Sequence, residues 1–218
     1  MNYRVVCISR AAGAGGEQVG RLVAERLGFR YFDDEVIALA SEKAGIDSAV
    51  VASAEHQSSL LSRLLDALVR PPMRMESYLT WRDSGEYYSR EVLPSVDPPK
   101  EQLRRLIQEA IVEIAQRGSA VIVAHAASMA LAGQRDVLRV LVTAPATTRE
   151  HRLWLVNRLL PEEDYARAVA ESDRERARYL ERFFDIREES SIHYDLVINT
   201  EKLLIRQAVE TIVTTVTA

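Results

Sequence analysis

The residues best arranged to do chemistry lie near the amino terminus. A short apolar run, Val5-Val6-Cys7-Ile8-Ser9, leads through Arg10 into Ala11-Ala12-Gly13-Ala14-Gly15-Gly16-Glu17-Gln18. Val19, Leu22, Val23 and Leu27 then recur at helical spacing before Gly28. Strand, glycine-rich loop and helix in that order make a cradle for an anion. Glycines let backbone N–H groups converge, and the helix N-terminus adds its partial positive charge. Polyphosphate is the expected ligand. The loop departs from the pattern G-x-x-x-x-G-K-[ST], however: Gly16 stands in place of the lysine, and Glu17 in place of the Mg²⁺-binding hydroxyl.

The elements that must position this loop read as an alternation of strands and helices. After Gly28 come a short strand, Arg30-Tyr31-Phe32, and a helix entered at Asp33 and Asp34, which can cap it. The pattern stays helical from Val36 to about Val69, with a break at Gly45-Ile46-Asp47-Ser48. Leu60, Leu61, Leu64, Leu65 and Leu68 form a stripe read first as a packing face, and otherwise as a homodimer contact. Between Arg70-Pro71-Pro72 and Asp97-Pro98-Pro99 lies a segment with Arg74, Tyr78, Trp81, Arg82, Tyr87, Tyr88 and Arg90. It reads equally as a stacking or phosphate pocket and as a packed loop.

From Lys100 an amphipathic helix runs to Gly118, followed by a buried strand over 119–124. A shorter helix, a strand over Val137–Thr143, a helix from Thr147 to about Leu159 and a charge-dense helix from Glu162 to about Phe184 come next. Asp195–Thr200 is the last strand, and Leu203–Val216 a closing helix. Strands alternating with helices predict an α/β fold, a parallel sheet covered on both faces.

Composition narrows the classes. With 218 residues, 47% hydrophobic and 28% charged, the chain has the make-up of a globular protein with a sizeable core. A net charge of −4 argues against nonspecific nucleic-acid binding. Of 28 basic residues only Lys43, Lys100 and Lys202 are lysines; arginine's planar fork suits phosphates, although coding bias gives the same skew. The single cysteine, Cys7, sits in an apolar strand and fits a reducing cytoplasm. No stretch approaches the roughly 18 apolar residues of a membrane span, and no signal-peptide pattern is seen, so the expected location is cytoplasmic. His56, His151 and His193 lack metal-ligand spacing, and no Ser/His/Asp or Cys/His arrangement supports hydrolase chemistry.

The chain resembles the cytidylate kinase-like proteins, a branch of the P-loop nucleoside monophosphate kinases, over nearly its whole length. The carriers are Ile8-Ser9-Arg10 with the loop Gly13–Gly20, Tyr31-Phe32-Asp33 and Val121-Ile122-Val123. Further along come Arg139-Val140, Ala144-Pro145, the run Asp173-Arg174-Glu175-Arg176-Ala177-Arg178-Tyr179 and Tyr194–Thr200. The resemblance implies one P-loop kinase-like domain over residues 1–218. It would carry an acceptor-side helical insertion at about 36–100 and an arginine-bearing lid at about 160–190.

Loss of the loop lysine is usual for this branch, and Arg10 is the candidate to supply the lost charge; its alternative is a pair with Asp33 or Asp34. Gly13, Ala14, Gly15, Gly16, Glu17 and Gln18 would cradle the donor phosphates, and Glu17 can also bind Mg²⁺ directly or through water. By motif, Asp173, Arg176 and Tyr179 match the family's lid pattern, with Arg176 cast as the group that stabilises the transferring phosphoryl. Asp33 and Asp34, at the mouth of the sheet, are acceptor or metal candidates. His125 stands where the family's strand ends in Gly-Arg-Gly, in the place of the arginine that touches the acceptor. Arg174 and Arg182 read better as members of a solvated helix.

The function implied is transfer of the ATP γ-phosphate, with Mg²⁺, to a small acceptor, most simply a pyrimidine monophosphate such as CMP. The competing reading, which gains from Gly16, Glu17 and His125 together, is a nucleotide-binding sensor or partner protein of kinase descent without turnover. An oligomeric scaffold that binds no nucleotide is the third.

Overall fold

The computed structural model describes residues 3–45, 100–123, 126–157 and 161–218. The leucine stripe, the aromatic–arginine segment and His125 lie outside them. Five strands form one sheet: β1 Val5–Arg10, β2 Arg30–Phe32, β3 Ala120–Val123, β4 Val137–Thr143 and β5 Leu196–Asn199. Every pairing is parallel and the order is β2-β3-β1-β4-β5. Around them lie α1 Gly16–Leu27, α2 Asp34–Ala44, α3 Lys100–Arg117, α4 Ala127–Ala130, α5 Ala146–Asn157, α6 Glu162–Phe184 and α7 Ile205–Thr217.

The central strand explains why both faces are covered. Side chains alternate along a strand, and every residue of β1 from Val5 to Ser9 is buried. Val5 and Cys7 join Ile122, Val36, Ile37, Ala40, Ile107, Ile111 and Ile114 on one face, under α2 and α3. Val6 and Ile8 join Val121, Val123, Val140, Val19, Val23, Val209 and Ile212 on the other, under α1 and α7. Burying each such aliphatic side chain contributes about 1.5–3 kcal/mol before chain entropy is counted, so two filled faces fix β1 as the most constrained element. Burial also drives the Cys7 thiol's pKa strongly upward, against a weaker opposing pull from Arg139, which leaves it an inert core group.

Among the described residues the predicted strands and helices fall within a residue or two of the observed ones; the helical pattern expected from Ile46 to about Val69 and the expected helix end at about Leu159 lie outside them. The expected break at Gly45 and one difference at Asp33 have physical causes. The helix after Asp33 stops at Ala44, because Gly45 takes a left-handed conformation (φ 63°) and its N–H closes back on the Glu42 and Ser41 carbonyls. At its entry Asp33 occupies the cap position, yet its side chain makes no capping hydrogen bond. Tyr31 Oη donates to Asp33 Oδ2 at 3.2 Å instead.

Candidate functional site: the loop between β1 and α1

Since β1 is central and parallel, its carboxyl end opens at the sheet edge where open α/β folds bind ligands. There the chain leaves Arg10, turns through Ala11–Gly15 and enters α1 at Gly16. Gly13 (φ 79°) and Gly15 (φ 83°) are left-handed while Ala12 and Ala14 between and before them are not. Such alternation brings successive N–H groups to one side and forms an anion-binding concavity. Val19 is the first residue of α1 to bond back, to Gly15 O at 3.0 Å, and no side chain caps the helix. The amides of Gly16, Glu17 and Gln18 therefore lack an intrahelical acceptor at the positive end of a twelve-residue helix.

Arg10 crosses directly over Gly16. A Cβ added at Gly16 would lie 2.5 Å from Arg10 Cβ and 3.2 Å from its Cδ, so only glycine fits beneath the arginine. The guanidinium reaches Glu17, with Nε 2.8 Å from Oε1, and not Asp33 or Asp34. The Nε–H does not point along that contact, which leaves a buried donor without a hydrogen-bond partner. The loop therefore holds a cation where lysine is missing, and that cation keeps an unused donor.

A second layer holds the loop from behind. Arg149 of α5 is only 5% exposed; its Nε donates to Ala144 O at 3.0 Å and its Nη1 to Ala12 O at 3.3 Å. Its guanidinium also forms a bidentate pair with Asp173 of α6, at 3.0 and 2.6 Å. One turn along α5, Arg152 donates to Thr200 Oγ1 at 2.9 Å and to Thr200 O at 2.7 Å. The Thr200 hydroxyl in turn donates to Ala14 O at 2.8 Å. Asp173, matched by motif to the family's lid, is thus tied to the scaffold of the loop.

Arg176 enters from α6. It forms a bidentate pair with Glu189 at 2.7 and 2.6 Å, donates to Tyr194 Oη at 3.0 Å, and brings Nη1 to 3.5 Å from the Arg10 carbonyl. Tyr194 Oη also donates to Glu189. Burial works against the Arg176 charge, but the hydrogen bonds and field of Glu189 outweigh it and hold the guanidinium firmly protonated. Burial likewise opposes the Glu189 charge, and Arg176 prevails, keeping the carboxyl below its ordinary range. The Tyr194 phenol is pushed up to about 12, mainly by burial. Arg10 and Arg176 accordingly meet at the same end of the sheet, each held by a carboxylate.

The other sequence candidates divide. Asp33 stands beside Tyr31 at the end of β2, where its N–H donates to Glu35 Oε2 at 3.0 Å, and Asp34 opens α2. Tyr179 packs against Phe183 with tilted rings, centroids 5.1 Å apart, and its ring centroid lies 5.5 Å from Arg104 Cζ. Arg182 pairs with Glu101 of α3, and Arg174 donates to its own helix at Ala170 O, in keeping with a structural role for both. Sequence reasoning missed Arg149, Arg152, Thr200 and Glu189. The available signal was two arginines three apart just after a strand end. Among the described residues no cluster of three or more His, Cys, Asp or Glu is placed to hold a metal.

A family model described as the cytidylate kinase-like family matches residues 5–202. The chain belongs to that family. No curated protein matches the sequence. Among solved structures, this cytidylate kinase-like chain superposes on an uncharacterized protein from Eubacterium ventriosum with a TM-score of 0.63 at 14% identity, over 98% of each chain. Shikimate kinase from Bacteroides thetaiotaomicron gives a TM-score of 0.52 at 11% identity, again over 98% of each chain. Shikimate kinase from Acinetobacter baumannii, in complex with shikimate, gives 0.50 at 13% identity over 99% of this chain and 93% of that one. At such identities the likeness establishes the fold, that of the P-loop kinases. No helix among the described residues is long and apolar enough to cross a membrane.

Proposed function

We propose that this cytidylate kinase-like chain transfers the γ-phosphoryl of ATP to a small acceptor, with a pyrimidine nucleoside monophosphate such as CMP as the simplest candidate. The observation that carries the reading is Arg10 lying across Gly16 with a buried, unpartnered Nε–H beside the uncapped start of α1. A buried donor left unsatisfied costs about 1–3 kcal/mol, and an anionic oxygen in the loop would satisfy it. In this reading the amides of Gly13 through Gln18 cradle the β- and γ-phosphates. Arg10 supplies the cation, and Arg176 moves from Glu189 to the equatorial oxygens of the transferring group. Asp33, Asp34 and His125 serve the acceptor side, and Asp173 and Tyr179 serve it from the lid helix.

Glu17 is the carboxylate that would hold Mg²⁺, directly or through water, on release from Arg10, and the ion would supply charge neutralisation to the donor phosphates. In the transfer, an acceptor phosphate oxygen forms the new bond to γ-phosphorus. The bond from γ-phosphorus to the bridging oxygen breaks, and ADP leaves with that electron pair. A phosphate monoester with a second pKa of about 6 is already mostly dianionic at neutral pH, so the reading needs no general base.

A second reading has its own support. Arg10 and Arg176 are both neutralised by carboxylates, as befits a nucleotide sensor that gates binding and does not turn over. ADP release with ATP and a panel of CMP, UMP, AMP and shikimate separates the two. Turnover with one acceptor, lost in Arg176→Ala, supports the kinase. Saturable ATP binding with no acceptor consumed supports the sensor, and absence of ATP binding refutes both.

A further inference from the structure

We infer that Arg149 and Thr200 are positioning residues that aim the loop's amides, and that α5 is the element from which both are controlled. The inference rests on the loop being the polyphosphate site. In a planar trans peptide the C=O and the following N–H point in opposite directions. A side chain that grips one carbonyl therefore turns the next amide away from itself. Arg149 holds Ala12 O, which directs the Gly13 N–H away from α5; Thr200 holds Ala14 O, which directs the Gly15 N–H away from β5. Gly13 and Gly15 are the two left-handed residues of the loop, so the gripped carbonyls belong to the peptides whose orientation makes the concavity.

Each grip has support behind it. The Thr200 hydroxyl lies 2.8 Å from Ala14 O and 3.3 Å from Thr143 O, so its single proton is better spent on Ala14, while Arg152 donates into the hydroxyl oxygen and holds the side chain in place. The Arg149 guanidinium is fixed by Ala144 O and by Asp173. Its backbone also blocks the space behind the loop: a Cβ on Gly13 would come within 2.7 Å of Arg149 O. Arg149 and Arg152 are three apart on α5 and face the same way. Through Asp173 the same device ties the lid-like helix α6 to the loop, so α6 and the orientation of Gly13 are mechanically joined.

The test uses the full chain labelled with ¹⁵N-glycine. Nine glycines give a spectrum in which Gly13 and Gly15 can be assigned and followed without ligand. Thr200→Val should move or broaden the Gly15 signal and leave Gly28 unchanged, while Thr200→Ser restores it; Arg149→Met should do the same to Gly13. Calorimetric titration with inorganic tripolyphosphate should show about tenfold weaker binding for Thr200→Val and near-normal binding for Thr200→Ser, as expected for one misaimed donor to a charged group. Should Arg149→Met not fold, the Thr200 pair decides. Unmoved glycine signals, or tripolyphosphate bound equally by Thr200→Val and the parent, overturn the inference. If the parent binds no tripolyphosphate, the kinase reading fails, and the glycine signals alone then support or refute the orienting role.

Discussion

Moving the loop cation from one side chain to the other tests the central geometry. Gly16 is not left-handed, so its backbone admits any residue; what forbids a side chain is Arg10 Cβ, 2.5 Å from the would-be Cβ. Because that atom is rooted in β1, rotation of the arginine does not relieve the clash. Gly16→Lys should therefore carry an overpacking cost of about 2–3 kcal/mol, the severe end of the usual range, offset by about 1 kcal/mol from removing a helical glycine. The net 1–2 kcal/mol corresponds to a fall in Tm of roughly 2–8 °C for a chain of this size. Arg10→Gly removes both the clash and the cation, so it should weaken ATP binding by about 10- to 100-fold, the worth of one charge-assisted hydrogen bond. The double variant Arg10→Gly/Gly16→Lys restores a cation to the loop without overlap. It should bind ATP within about tenfold of the parent, with a coupling between the two sites of about 1–3 kcal/mol. Melting curves and ATP titrations of the four proteins complete the cycle. If Gly16→Lys alone melts like the parent and binds ATP more tightly, the two cations fit side by side, and the placement of Arg10 over Gly16 is refuted.

Three further outcomes follow from the same contacts. Glu189 has a depressed pKa when folded, so its pair with Arg176 stabilises the fold fully above the carboxylate's ordinary value of 4.5 and is lost as pH falls through the lower folded value. Tm measured from pH 5 down to 3 should drop less steeply for Glu189→Gln than for the parent, and parallel curves would exclude a contribution from this pair. Glu17→Gln removes a negative charge beside the loop and should tighten Mg²⁺-free tripolyphosphate binding by about three- to tenfold, while weakening the Mg²⁺ dependence of ATP binding; calorimetry with and without the metal reads both. Gly13→Ala combines a φ of 79° with a 2.7 Å approach to Arg149 O, and should lower stability by about 2–4 kcal/mol in a denaturant titration, whereas Gly28→Ala, with open space around it, should cost only the left-handed strain.

Local pattern carried most of the fold. The apolar runs of β1, β3 and β4 are legible because both faces of a central parallel strand must be apolar. The ends of α1 and α2 are legible because Gly28 and Gly45 take conformations that few other residues tolerate. The loop and its missing lysine are likewise a matter of adjacent residues. That Arg10 sits on the lysine's place is not, since it needs the turn through Ala11–Gly15 to fold the strand end back over Gly16.

The pairings around the loop are of another kind. Arg149 reaches Ala12 across 137 residues, and Thr200 reaches Ala14 across 186. Nothing in the sequence near Arg149 or Thr200 names those partners; the order β2-β3-β1-β4-β5 does, by setting β4 beside β1 and β5 beside β4 so that their carboxyl ends meet. For the same reason Glu189 could not be matched to Arg176, nor Asp173 to Arg149, until α6 was laid across that end of the sheet. By itself the sequence determined which segments are strand, helix and glycine-rich loop, because periodicity and backbone strain act between near neighbours. Which charges neutralise one another, and which loop carbonyls are held by distant side chains, was decided only by the packed sheet, because Coulombic and hydrogen-bond partners are chosen by distance in space.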